Sequence, residues 1–341
     1  MVKLSHSVSY RVKPCSPYSF ELTVQKPAGW SLFTPFEVYE AGTMWTALHM
    51  SLSREGSHVR SRGANISDVT DMNNMIVGVK LRSRGSTEQP RLVVEAFLKG
   101  ATTSAQEQEI EKTLNERLDV CGNLKPFYQL AENDRILRHA MEDLYGMHST
   151  GPSTIFSEAT LAIMLQMTTL KRSNQMMNCL IQRYGQVAEF DGKRVPMWPT
   201  PRRIAEATPT KLAKACRLGY RAKHLHGLAR QIAKTGRPTI EELERLSPEE
   251  AKRVLVQLPG IGDYSADIIN PHGGFPIDVW SADVFGKLFY GREPKNGRRS
   301  IEKIKKEGAR RWGEWAWMAF FYVVQDLENL SRKLGVQLRL E

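Results

Sequence analysis

The run Leu258-Pro259-Gly260-Ile261-Gly262-Asp263-Tyr264 lies between two segments with helical spacing. Proline stops the first segment, and the glycines can take positive φ. A tight glycine turn opening onto a helix N-terminus points backbone N–H groups outward, and the helix dipole adds partial positive charge there. Pro259, Gly260, Ile261 and Gly262 are therefore a candidate seat for a phosphate oxygen. The same four residues also suffice as a plain helix-to-helix connection. Downstream, "FPIDVWSADVFGKLFYG" holds two aspartates, Asp278 and Asp283. Each has two uses: a carboxylate beside a developing positive charge, or a helix N-cap.

The elements around these residues fall into two kinds. The first hundred or so residues read as strands: "SYRVKP", "YSFELTVQ", "FEVYEAGTMWTALHMSL" and "RLVVEAFLKG" carry β-branched and aromatic residues, often alternating with polar ones. Turn material such as "KPAGW" and "SRGSTEQP" separates them. After Thr102 nearly every segment has helical spacing, from "SAQEQEIEKTLNERL" onward. "SPEE" is a capping box, with Ser247 as cap and Glu250 reaching back. The spacing predicts an α+β chain: an N-terminal antiparallel β-sheet domain over 1–110, then an all-α domain over 111–341.

At 341 residues the chain is long enough for two well-buried cores. Its net charge of +11 points to a polyanionic partner, nucleic acid before membrane. The N-terminus has no apolar signal segment, and no apolar run reaches membrane-span length. The four cysteines, Cys15, Cys121, Cys179 and Cys216, form no C-x-x-C pair. That predicts neither a zinc site nor an iron–sulfur cluster, and a cytoplasmic chain with reduced thiols. Between Gly291 and Trp312 stand nine Lys/Arg against three Glu, either a phosphate-tracking surface or a solvated basic face.

Several of these stretches together resemble the helix-hairpin-helix (HhH-GPD) superfamily of base-excision DNA glycosylases. The L-P-G-I-G turn matches its signature. "FYQLAENDRILRHAMEDLYG" and "EWAWMAFFYVVQDL" are similar to segments that open and close the helical domain in 3-methyladenine DNA glycosylase II relatives. "WPTPRRIAEATPTKLAKACRLGYRAKHLHGLARQI" is similar to both alkyl-base and 8-oxoguanine enzymes. The resemblance implies a β-sheet domain, a helix-hairpin-helix domain, no cofactor and no metal. It implies a monomer that acts on double-stranded DNA with a damaged base, on the nucleoid of a prokaryote or in a nucleus. "SEATLAIMLQMTT" is similar to a helix and loop that wedges into DNA, which assigns Gln166 and Met167 to the gap left by a flipped nucleotide.

The resemblance also bears on the reaction. Pro276-Ile277-Asp278-Val279-Trp280 is similar to P-V-D-[TV]-H, which makes Asp278 the catalytic carboxylate. Aligning "DVWSAD" with the alkyl-base pattern D-V-F-P-A-x-D selects Asp283 instead. Bifunctional members carry lysine two residues after the second glycine, where its amine forms a Schiff base. Here that residue is Tyr264, which cannot form an imine. Alkyl-base enzymes have tryptophan at this place, so Tyr264, with Trp280, is assigned to the base pocket. The implied function is a monofunctional glycosylase hydrolysing the N-glycosidic bond of an alkylated or deaminated purine. The alternatives are an 8-oxoguanine-type glycosylase/AP lyase and a non-catalytic DNA-binding protein.

Overall fold

A computed structural model describes residues 1–25, 38–51, 74–150, 154–168, 170–292 and 297–338. Its strands are β1 (Val2–Lys3), β2 (His6–Val12), β3 (Val38–Glu40), β4 (Thr43–Ser51), β5 (Asn74–Ser83) and β6 (Leu92–Leu98). Two more, β7 (Val187–Phe190) and β8 (Lys193–Pro196), come late in the chain. Strands β2 to β6 form one antiparallel sheet in the order β2-β6-β5-β4-β3. Strict alternation along β6 sends Leu92, Val94, Ala96 and Leu98 to one face, the period expected of a half-buried strand.

One sequence reading is corrected here. "YSFELTVQ" is not a strand; it contains α1 (Phe20–Gln25). Phe20, Thr23 and Val24 are the buried residues, and their i, i+3, i+4 spacing is helical despite the β-branched composition. The turn "KPAGW" lies outside the described residues. The next helix, α2 (Ser104–Arg117), starts with a capping box between Thr103 and Gln106. Its Ile110 and Leu114 join Val77, Val79, Leu81 and Val94 in the sheet's core. A boundary at 110 therefore cuts through an element that belongs with the sheet.

The remaining helices build a second core. They are α3 (Lys125–Glu132), α4 (Leu137–Asp143), α5 (Ile155–Leu165), α6 (Leu170–Tyr184), α7 (Pro201–Ala205), α8 (Pro209–Cys216) and α9 (Arg221–Thr235). Then follow α10 (Ile240–Glu244), α11 (Pro248–Leu255), α12 (Asp263–Ile269), α13 (Val279–Tyr290), α14 (Gly297–Trp312), α15 (Ala316–Gln325) and α16 (Leu327–Leu334). Helix α5 is apolar nearly all round, as a central helix must be.

Strands occur in this half too, beyond the sequence reading. The β7–β8 hairpin pairs with β1 in a second, three-stranded sheet. It docks on the first sheet through Phe190, whose ring lies where a Cβ on Gly78 would sit, and through Trp45, whose indole N–H donates to Asp191 Oδ2 at 2.7 Å. The expectation of reduced thiols is also corrected for two cysteines. Helices α6 and α8 bring Cys179 and Cys216 to 5.5 Å between Cα atoms, and a disulfide joins them. No helix among the described residues is long and apolar enough to cross a membrane.

Candidate functional site

Helix α11 opens with the Ser247–Glu250 capping box and ends at Leu255, one turn before the proline. Leu258 and Ile261 are buried and anchor the turn. Only one of the two glycines uses its conformational freedom. Gly260 has φ +82°, and a Cβ there would lie 2.5 Å from the Cβ of His224 on α9. Gly262 is extended (φ −103°) and a Cβ on it would meet open space. It caps α12 without a side-chain hydrogen bond, so it leaves the helix N-terminus bare. Pro259 lies against Gly227 of the same α9. His224 is thus part of the support for the turn.

Four charges lock α12 to its neighbours. Lys252 of α11 lies 2.6 Å from Asp263 Oδ1 and from Asp267 Oδ1. Lys305 of α14 reaches the other oxygens of both carboxylates, 2.6 Å from Asp267 Oδ2. Burial pushes the Asp263 carboxyl up, but hydrogen bonds from Lys252 and Lys305 outweigh it and hold the pKa below the usual value. Nothing in the sequence reading singled out these lysines, because the pairing joins residues up to 42 apart.

The loop after α5 is tied to the turn. The Gln166 amide donates to the carbonyl of Gly260 at 2.7 Å and to Ser265 Oγ at 3.1 Å. Arg221, buried at the start of α9, donates to the carbonyls of Ile163 and Gln166 at the end of α5. Gln166 is therefore placed inside the scaffold, not at a projecting tip. Met167 is the tip: its backbone is left-handed (φ +45°) and its side chain is 79% exposed. Met167 thus presents a large apolar side chain at the loop tip.

The two aspartates differ. Asp278 is the N-cap of α13, in a capping box with Ser281. Its Oδ1 accepts from Ser281 N at 2.8 Å and Ser281 Oγ at 2.7 Å. Oδ2 has no hydrogen-bond partner among the described residues. Tyr264, in the first turn of α12, lies close enough to feel this charge. Burial raises the phenol's pKa well above its ordinary value, and Asp278 raises it further, so the phenol stays neutral. Asp283 instead lies one turn up α13, 41% exposed, with Lys287 Nζ at 2.9 Å. Trp280 is partly buried against the helical core, and Trp317 stacks on Phe320 at 6.1 Å between ring centroids. The structure thus joins Gln166, Gly260 and Ser265 by hydrogen bonds. Asp283 has its own cation.

Residues 160–310 match the HhH-GPD superfamily of base excision DNA repair proteins. The chain is 26% identical over 221 residues to the DNA-3-methyladenine glycosylase of Bacillus subtilis, covering 63% of this chain and 71% of that protein. It is 25% identical over 257 residues to the probable N-glycosylase/DNA lyase of Methanothermobacter thermautotrophicus, covering 67% and 78%. Among solved structures, the 3-methyladenine DNA-glycosylase of Archaeoglobus fulgidus superposes with a TM-score of 0.69 at 20% identity, over 93% of this chain and 98% of that one. The likeness to the HhH-GPD superfamily of base excision DNA repair proteins is thus carried by residues 160–310.

Proposed function

We propose that the chain is a monofunctional DNA glycosylase, acting as a monomer on duplex DNA. It extrudes an alkylated or deaminated purine and hydrolyses the bond between base and sugar. One observation carries the reading: Asp278 Oδ2 has no hydrogen-bond partner among the described residues, and the residue two after Gly262, where a lyase would need an amine, is Tyr264. As the base leaves, positive charge builds on the sugar. A carboxylate at about 4 Å and an effective dielectric near 20 attracts that charge by about 4 kcal/mol, or about three powers of ten in rate. Asp278 Oδ2 supplies this stabilisation and orients a water for attack at C1′. The Ser281 hydrogen bonds fix the carboxylate before the substrate arrives.

Other groups have positioning roles. The bare N-terminus of α12, opened by Gly262, takes a phosphate of the lesion strand. Met167 fills the space left by the extruded nucleotide. Tyr264 and Trp280 wall the base pocket. On α14, Arg299, Lys303 and Lys306 are exposed and spaced i, i+4, i+7, so they line one face and track the backbone. A lyase reading draws support from the name of the Methanothermobacter relative. Lys287, the lysine of α13, stands about 13 Å along the helix from the cap and is held by Asp283, which disfavours it as a Schiff-base residue.

The test is base release. Duplexes carrying one alkylated purine, hypoxanthine or 8-oxoguanine are incubated with the chain, and free base is measured by chromatography. Release of an alkylated or deaminated purine supports the proposal. Binding without release of any base contradicts it and leaves the non-catalytic reading.

A further inference from the structure

Beyond the end of α6 farthest from Met167, the sheet and the helices leave a cleft of about 750 Å³. The length of α6, about 20 Å, separates it from the wedge loop. His49 of β4 is one of its lining residues. Arg183 and Tyr184 at the end of α6, Arg202 and Arg203 of α7, and Lys211 of α8 contribute its walls. One carboxylate, Glu206, also lines the cleft, 3.7 Å from Arg202. Arg183, Arg203 and Lys211 have no ion-pair partner among the described residues. His49 Nε2 is buried without a hydrogen-bond partner among them, and burial lowers this imidazole's pKa.

Cations gathered around a concave surface repel one another, and the low-dielectric walls focus their field inward. Guanidinium forks match phosphate oxygens in geometry, and a lysine adds a point charge. We propose that this interdomain cleft is a binding site for phosphate-bearing anions, held by Arg183, Arg203 and Lys211. It is separate from the base-excision site and does not rest on the glycosylase reading. The phosphates come either from a free diphosphate-bearing molecule or from the backbone of DNA flanking the hairpin.

Calorimetric titration of the full chain with inorganic pyrophosphate tests the site. The wild type should show saturable binding, retained in Gly262→Ala, which alters only the hairpin. The triple variant Arg183→Gln, Arg203→Gln, Lys211→Gln should bind at least tenfold more weakly. Duplexes with one central abasic-site analogue then separate the sources, an arm that rests on the proposed function. About 20 Å is roughly six base pairs, so a duplex of about 10 base pairs centred on the wedge loop falls short of the cleft, whereas one of about 30 spans it. Loss of pyrophosphate binding only with the longer duplex assigns the site to DNA backbone; retention with both assigns it to a free ligand. Absence of saturable binding in the wild type, or equal affinity in the triple variant, overturns the proposal.

Discussion

At the scale of single residues, Asp278 and Asp283 look alike in the sequence and unlike in space. Asp278→Asn keeps the size and the capping ability, since Asn caps about as well as Asp. It removes the charge. Single-turnover excision should fall by roughly 10²–10³, a loss of about 3–4 kcal/mol in transition-state stabilisation. Asp283→Asn should cost under about tenfold, because that carboxylate faces Lys287. Rates of both variants on the best substrate decide between them; an inactive Asp283→Asn beside an active Asp278→Asn would reverse the assignment. The ion pair of Asp283 with Lys287 was not part of the sequence reading, although its i, i+4 spacing is local. The direction of Gln166 was not readable, because nothing local to α5 shows that its amide meets a carbonyl 94 residues on. The glycines give a second residue-scale prediction. Gly260→Ala should destabilise the fold by about 1–3 kcal/mol, through its positive φ and the clash with His224. Gly262→Ala should leave the melting temperature near wild type and weaken DNA binding, measured by anisotropy. Unchanged affinity would reduce the turn to a connector.

At the scale of elements, caps and periodic faces were mostly legible where the signal was local, but the helical spacing of α1 was hidden by its β-branched composition. The capping box of α11 and the helical character of the chain after Thr102 were legible. The β7–β8 hairpin was not, because its strands are four residues each and pair with the chain start. The break between α15 and α16 carries a consequence for pH. Asp326 sits there, buried, with Asn329 donating to Oδ1 at 2.7 Å. Burial, with the neighbouring Asp143, pushes its carboxyl up to about 7. Burial likewise raises Glu158 on α5 to about 8. The folded state therefore keeps protons that the unfolded chain loses near pH 4, and stability should decline as pH rises from about 5 to 8. The slope is bounded by about 1.4 kcal/mol per pH unit for each group. Carboxylates held low, such as Glu307 at about 2 beside Arg310 and Arg311, act below this window. Asp326→Asn should flatten the decline in urea-melt stability. A wild-type stability that rises across this range would contradict the burial argument.

For the whole molecule, the two-part architecture was present in composition and pattern. What the sequence left open was how the parts lean on each other: α2 with the sheet, Trp45 on Asp191, Cys179 with Cys216. These depend on contacts far apart in the chain, which no periodicity encodes. Net charge makes a global prediction. Affinity for lesion duplex should fall steeply with salt, and replacing Arg299, Lys303 and Lys306 by Gln should reduce the log–log slope by about 2–3. An unchanged slope would return α14 to a solvated face. The central claim is that the chain removes a base by water attack, without an imine. Its most direct test follows a labelled strand after base release, with and without alkali, and with borohydride present. Strand cleavage only after alkali, and no covalent protein–DNA band, is the predicted result. Cleavage without alkali together with a trapped covalent band would contradict it.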